Sequence, residues 1–199
     1  TVGAIAGDRA GVEEMFALKQ LMAGLGSGMT DCRPPMSAID PGLPRSAYIF
    51  NPGIAGIEQA DAILIVGANP RWEASLVNAR IRKAWRASGL PIGVIGDASD
   101  LTYDYEHLGN DTAALQAIAE GSSKFAKVLA KAQRPLIIVG EGALSHAGLG
   151  KKAGRDVMSL AAKVAADAGA LTDDWNGFAV LHNVAARVGG LDIGFVPHD

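Results

Sequence analysis

The sequence predicts an α/β fold, a three-layer, Rossmann-like domain with a mostly parallel sheet, from three features of the chain. Ala62–Val66 and Leu136–Val139 are short unbroken apolar runs, as expected of strands buried on both faces of a parallel sheet. Each run stops at a glycine, Gly67 or Gly140. A strand–glycine–helix order recurs near residues 2–25 and 62–88, and each instance is half of a βαβ unit.

Composition sets the bounds. Apolar residues make up 49% and charged residues 20% of 199 residues, which describes a folded chain. One α/β domain over residues 1–199 is expected. A net charge of −3 argues against nucleic acid, whose partners carry a basic excess. The one cysteine, Cys32, can form no internal disulfide and cannot by itself hold an iron–sulfur cluster. No apolar run approaches the ~20 residues that span a bilayer. The apolar opening residues lack a positive n-region and read as a strand rather than a signal peptide. With no initiator Met, an excised piece of a longer protein is expected.

Val2–Ala6 is the first candidate strand, with Asp8 as a candidate cap for the next helix. Met15, Leu18, Met22 and Leu25 form a stripe, with Glu13, Glu14 and Lys19 off it, which predicts an amphipathic helix of about four turns. Residues 26–52 hold no sustained period, and Pro34, Pro35, Pro41, Pro44 and Pro52 exclude a long helix. In this connection Asp31-Cys32-Arg33 raises two readings. A neighbouring cation lowers a thiol pKa, but a half-buried, unreactive thiol is the plainer expectation.

Ile54–Gln59 reads as a helical turn leading into the strand at 62–66. Asn69 is a good N-cap, and Pro70 suits the first helical position. Val77, Ile81, Ala84 and Trp85 make one apolar face of a helix over 72–88, closed by Gly89 and Pro91. Ile92–Ile95 is the next strand, ended by Gly96-Asp97. The polar run from Asp100 to His107 fits no standard metal-ligand spacing and reads as a surface loop. Asp111 caps a helix with Leu115, Ile118 and Ala119. Ser122 or Ser123 caps another with Phe125, Val128 and Leu129 inward. After Gly140-Glu141-Gly142, a glycine turn, residues 146–155 are loop-like and basic. A helix follows through Val157, Leu160, Ala161, Val164 and Ala168. Ser145-His146 lacks an acidic orienter, so no hydrolase triad is expected. Phe178, Leu181, Ala185 and Val188 predict a last helix, with His182 beside its face as a hydrogen-bonded, partly buried residue.

The turn at Gly67 aims backbone N–H groups and a helix N-terminus at one spot, which suits a phosphate. An ordinary βα turn that binds nothing has the same pattern. Ile54–Asp61, Ile63–Pro70 and Asn78–Arg82 together resemble the nucleotide-end motif of the molybdopterin oxidoreductase superfamily, which includes formate dehydrogenases and nitrate reductases. Within it, Val66–Pro70, Asp100–Gly109 and Asn176–Pro197 are most similar to the large iron–sulfur subunits of NADH:quinone oxidoreductase, respiratory complex I.

The resemblance implies the dinucleotide-binding domain of formate dehydrogenase and DMSO reductase-type enzymes. In complex I subunits it implies a structural domain that has lost molybdopterin guanine dinucleotide. The parent is then an enzyme subunit, with iron–sulfur clusters in a separate cysteine-rich amino-terminal region, and this segment is not catalytic. The implied partners are other subunits of the complex I peripheral arm and the cluster-bearing region of the same chain, with no nucleic acid and no membrane insertion. The implied location is the cytoplasmic side of a bacterial inner membrane or the mitochondrial matrix side. Gly67, Asn69, Pro70, Asp97, Gly140 and Gly142 would rim the vestigial cofactor site. No catalytic or metal-ligating residue is assigned. Catalytic relatives usually read Asp-Pro-Arg where this chain reads Gly96-Asp97-Ala98. A cation that could face a pyrophosphate is therefore missing.

Two other readings stand beside this one. The first is a domain that still binds the pterin dinucleotide. The second rests on Arg134–Gly142, which is similar to the central domain of thiamine-diphosphate enzymes but leaves residues 54–109 unexplained. Finally, Arg71, Arg80, Arg82, Lys83 and Arg86 cluster, either as a docking surface or as a solvated face. Arg71, at the turn, is a candidate phosphate neutraliser.

Overall fold

The computed structural model describes residues 2–34, 37, 39–40, 42–144 and 154–198. The chain opens with β1 (Ala4–Ile5), α1 (Val12–Gly24) and β2 (Thr30–Asp31). A 3-10 turn at Arg45–Ala47, α2 (Gly53–Gly56) and a second 3-10 turn at Ile57–Gln59 lead into β3 (Ala62–Val66). Next come α3 (Pro70–Glu73), α4 (Ser75–Ser88), β4 (Ile92–Ile95), β5 (Glu106–Gly109), α5 (Thr112–Ala119) and α6 (Lys124–Leu129). Then follow β6 (Pro135–Gly140), α7 (Glu141–Leu144), α8 (Gly154–Asp167), β7 (Phe178–Leu181) and α9 (Arg187–Asp192).

The main sheet has the order β5-β4-β3-β6-β7, and every pair in it is parallel. β3 sits at its centre and is buried at every residue. Alternation along the strand divides the core. Ala62, Leu64 and Val66 pack under α5, α6 and α8. Ile63 and Ile65 pack under α4, Ile57 and Trp175. Those are the three expected layers. Each buried Leu, Ile or Val contributes about 1.5–3 kcal/mol, which is why both faces of β3 are aliphatic. From β3 the chain moves outward to β4 and β5, then crosses back to β6 and β7 on the other side. The ends of β3 and β6 therefore part at a topological switch point, where open α/β sheets bind their ligands.

Several expectations are corrected. Phe178–Leu181 is a strand, paired with β6 from Ile137↔Phe178 onward, so the helix expected there starts only at Arg187. The single helix expected over 72–88 is two. α3 makes one turn, and the chain breaks at Ala74 (φ −152°) before α4. Asp8 does not cap α1. Gly11 stands at its N-cap, with Gly11 N donating to Glu14 Oε2 at 2.6 Å. The polar run after Asp100 is not all loop, since Glu106–Gly109 joins the sheet beside β4. Ser145-His146 and most of the basic stretch at 146–155 lie outside the described residues.

The expected turn before β3, the caps at Asp111 and Ser123, and the left-handed C-cap at Gly89 (φ 66°) are present. The helical start at Glu141 leaves no loose glycine turn, because α7 begins directly at the end of β6.

β1 and β2 form a separate parallel pair. Ala6, Met15, Cys32 and Phe195 pack together beside it. Arg187 is buried, donates Nη1 to Cys32 O and reaches Asp8 Oδ1 with Nη2 at 3.2 Å. Arg33, the cation nearest Cys32 in sequence, is held by Asp31 through Nε–Oδ1 and Nη2–Oδ2 contacts of 3.0 Å each. Cys32 is 4% exposed. Burial pushes its thiol pKa up, more strongly than Arg187 pulls it down.

The reactive-thiol reading therefore fails, and the burial goes further than half. Alkylation of the native thiol by iodoacetamide at pH 7.5 should be about 100-fold slower than in urea. A folded pKa above the unfolded value also fixes the sign of the pH effect. Its contribution to stability is present below the unfolded thiol pKa and is lost as pH rises through the folded one. Cys32→Ala should flatten that alkaline limb in urea titrations.

Candidate functional site

β3 ends because Gly67 turns the chain with φ +58°, a conformation that glycine adopts without a Cβ penalty. Gly67 N donates to Ile95 O at 2.8 Å, tying the turn to the end of β4. Asn69 starts α3, but its side chain makes no cap. Instead Glu73 folds back and Oε1 accepts from Asn69 N at 2.8 Å. This contact satisfies the Asn69 N–H at the start of α3; the chain leaves helical geometry at Ala74 and re-enters a helix at Ser75.

Opposite this turn, α7 follows β6 without a gap and presses on it. A Cβ added at Gly67 would lie 2.4 Å from Ala143 Cβ and 2.6 Å from Ala143 N. A Cβ at Gly140 would lie 2.5 Å from Ala68 Cβ, and one at Gly142 would lie 2.7 Å from Gly67 O. The three glycines therefore serve backbone-to-backbone packing. The crevice between the ends of β3 and β6 is filled by the chain itself.

What remains is a cavity of about 250 Å³ over the ends of β3 and β4, lined in part by Gly67, Asn69, Glu73, Asp97, Ser99, Asn110 and Gly142. Four of the sequence-predicted residues, Gly67, Asn69, Asp97 and Gly142, converge there. Pro70 is buried as the first residue of α3, and Gly140 lies within β6 against Ala68. Glu73, Ser99 and Asn110 were not foreseen. The one available signal was Glu73, an acidic residue in the first turn after Asn69.

Arg71 turns away from this cavity. Its Nη1 donates to Asp100 O at 2.8 Å and to Asp100 Oδ2 at 2.5 Å. The Asp100 carboxyl is held below its usual range, first by Thr102 N and then by Arg71. The His182 side chain is 7% exposed, and its Nε2–H donates to Tyr48 O at 2.6 Å. Its Nδ1 stands 3.8 Å from Glu141 Oε1. This is the hydrogen-bonded histidine expected, placed by β7 rather than by a helix. Among the described residues no group of three His, Cys, Asp or Glu is arranged to hold a metal ion.

A family model described as molybdopterin oxidoreductase matches residues 1–199. The chain belongs to the molybdopterin oxidoreductase family. Over 201 residues it is 45% identical to the mitochondrial NADH-ubiquinone oxidoreductase 78 kDa subunit of Neurospora crassa, covering 96% of this chain and 26% of that protein. It is 41% identical over 195 residues to the mitochondrial NADH dehydrogenase [ubiquinone] iron-sulfur protein 1 of Solanum tuberosum, covering 97% of this chain and 25% of that one. It is 41% identical over 192 residues to an NADH-quinone oxidoreductase subunit of Rickettsia conorii, covering 96% and 28%. The chain spans about a quarter of the length of these relatives.

A molybdopterin oxidoreductase domain of this shape implies a pterin dinucleotide, and its pyrophosphate can be tested against the residues present. A pyrophosphate needs cations or free donors. The charged lining of the cavity is acidic, Glu73 and Asp97, with no Lys or Arg among the described residues. Glu73 Oε2 is a buried acceptor without a hydrogen-bond partner, and it would face an anion unfavourably. The volume lies below the ~300–1,000 Å³ usual for ligand pockets. The pyrophosphate does not fit these residues. Within the family fold, the Arg134–Gly142 resemblance to thiamine enzymes reduces to β6, a buried parallel strand.

Proposed function

We propose that this chain is a non-catalytic structural domain of a subunit of an NADH:quinone oxidoreductase, and that it carries no pterin dinucleotide. One observation carries the reading: α7 occupies the switch-point crevice, with Ala143 packed against Gly67. Relatives named as NADH-quinone or NADH-ubiquinone oxidoreductase subunits support the assignment to that complex. The parent passes electrons from NADH towards quinone through iron–sulfur clusters held elsewhere in its polypeptide. A lone, buried Cys32 agrees with that division of labour.

The domain buttresses the cluster-bearing region and contacts other subunits of the peripheral arm, on the cytoplasmic side of a bacterial inner membrane or the matrix side of a mitochondrial one. Among the described residues no helix is long and apolar enough to cross a membrane. Gly67, Asn69, Pro70, Asp97, Gly140 and Gly142 are the relic of a nucleotide cradle.

The test is to purify the parent subunit from cells grown with molybdate. Pterin is released by acid oxidation and read by fluorescence, with molybdenum read by mass spectrometry. Neither should exceed background. Stoichiometric pterin overturns the proposal in favour of a working dinucleotide-binding domain.

A further inference from the structure

Trp72 and Leu76, one turn apart across the α3–α4 break, are 83% and 71% exposed. Along α4 lies an open groove of about 600 Å³, lined in part by Ser75, Ala79, Arg82, Lys83, Arg86 and Thr102. The neighbouring cations are already paired. Arg71 engages Asp100, and Arg80 and Lys83 share Glu58. Among the described residues, Arg82 and Arg86 have no carboxylate partner. Placed four residues apart, two like charges oppose helix formation by a few tenths of a kcal/mol. The chain has 21 acidic and 18 basic residues, so acids are in excess, yet none among the described residues is set against this pair. Thr102 adds a third observation. It is the sole non-glycine with positive φ, 72°, among the described residues, held by its N–H on Asp100 Oδ1 at 2.9 Å. A β-branched residue in that region is strained, and such strain gathers at clamps and binding surfaces.

We propose that this ridge is a docking surface for an acidic segment of the same polypeptide lying outside these 199 residues. Its carboxylates pair with Arg82 and Arg86, and an apolar side chain covers Trp72 and Leu76. The inference rests on the proposed function, in which the domain is part of a longer subunit. Tryptophan and arginine are the residues that dominate interface hot spots, and charge complementarity selects an acidic partner. The relatives extend about four times the length of this chain. A tethered segment arrives at an effective concentration near the millimolar range, so a few contacts suffice in cis.

The experiment uses the full-length parent, with a photo-cross-linking benzoylphenylalanine in place of Trp72. Illumination should link position 72 to an acid-rich peptide of the same polypeptide outside residues 1–199. The yield should fall at least about 10-fold in the Arg82→Glu, Arg86→Glu double variant. It should also fall on raising salt from 0.1 to about 1 M. Both arginines are exposed and without a carboxylate partner among the described residues, so the thermal midpoint should hold, and circular dichroism checks that the variant is folded. A cross-link to another subunit or to a second copy overturns the proposal, as does no cross-link at all. Those outcomes leave the pterin assay untouched, so the two readings fail separately.

Discussion

Gly67→Ala is expected to lower the unfolding free energy by about 3–5 kcal/mol. Two costs add. The left-handed backbone at φ +58° penalises any Cβ, and that Cβ would meet Ala143 N at 2.6 Å and Ala143 Cα at 2.8 Å. Backbone atoms cannot rotate away, so α7 or the turn must shift. Gly89→Ala is the control. Gly89 has φ +66° and nothing within 4 Å of a Cβ, so only the conformational cost of about 1–2 kcal/mol applies. Urea unfolding of the two variants separates strain from collision. Equal midpoints would refute the packing of α7 on the turn, and with it the closed crevice.

Trp175→Ala should cost about 3–5 kcal/mol. Trp175 is 7% exposed and joins the α4 side of the core. Its Nε1–H donates to Pro135 O at 2.9 Å, at the first residue of β6. Gly177 lies so close that a Cβ there would sit 2.0 Å from Pro135 O and 2.5 Å from Trp175 Nε1. The ring thus pins the loop before β7 to the start of β6, with Arg134 above it at 5.8 Å. Trp175→Phe keeps most of the ring and strands the Pro135 carbonyl, for about 1–3 kcal/mol. Guanidinium titrations with unchanged slopes would read both losses. A Phe variant as damaging as the Ala variant would show that the hydrogen bond, not the buried area, holds the corner.

The centre of the sheet was legible because strands buried on both faces write their burial directly into composition. Ala62–Val66 and Leu136–Val139 need no periodicity to be found. Phe178–Leu181 reads as helix in the sequence for a local reason. Its four apolar residues continue into Val184, Ala185 and Val188 at helical spacing, and only pairing with β6 decides for a strand. The break at Ala74 carries no proline or glycine. Nothing in the residue types from Trp72 to Leu76 marks it, so the apolar spacing of α4 reads straight through the break. The sequence of α1 predicts a helix with one apolar stripe. Yet Leu25 is 60%, Leu21 59% and Phe16 52% exposed, because apolar residues run around more of that helix than its neighbours cover. At the candidate site the glycines at the strand ends could be named from sequence. Glu73, Ser99 and Asn110 could not, since polar residues in turns are common. The sign of the cavity's charge became visible only when Arg71 was seen to turn towards Asp100.

The strand order has a kinetic consequence for a nascent chain. β3 pairs on one side with β4, but its other edge waits for β6, with Ala62 opposite Pro135. Those partners are about seventy residues apart. At ~5–20 residues per second, a ribosome exposes the aliphatic flank of the central strand for roughly 4–15 seconds before its mate emerges. Long-range parallel pairing is slow for the same entropic reason. During synthesis, this interval is when the chain most needs a chaperone to shield it from aggregation.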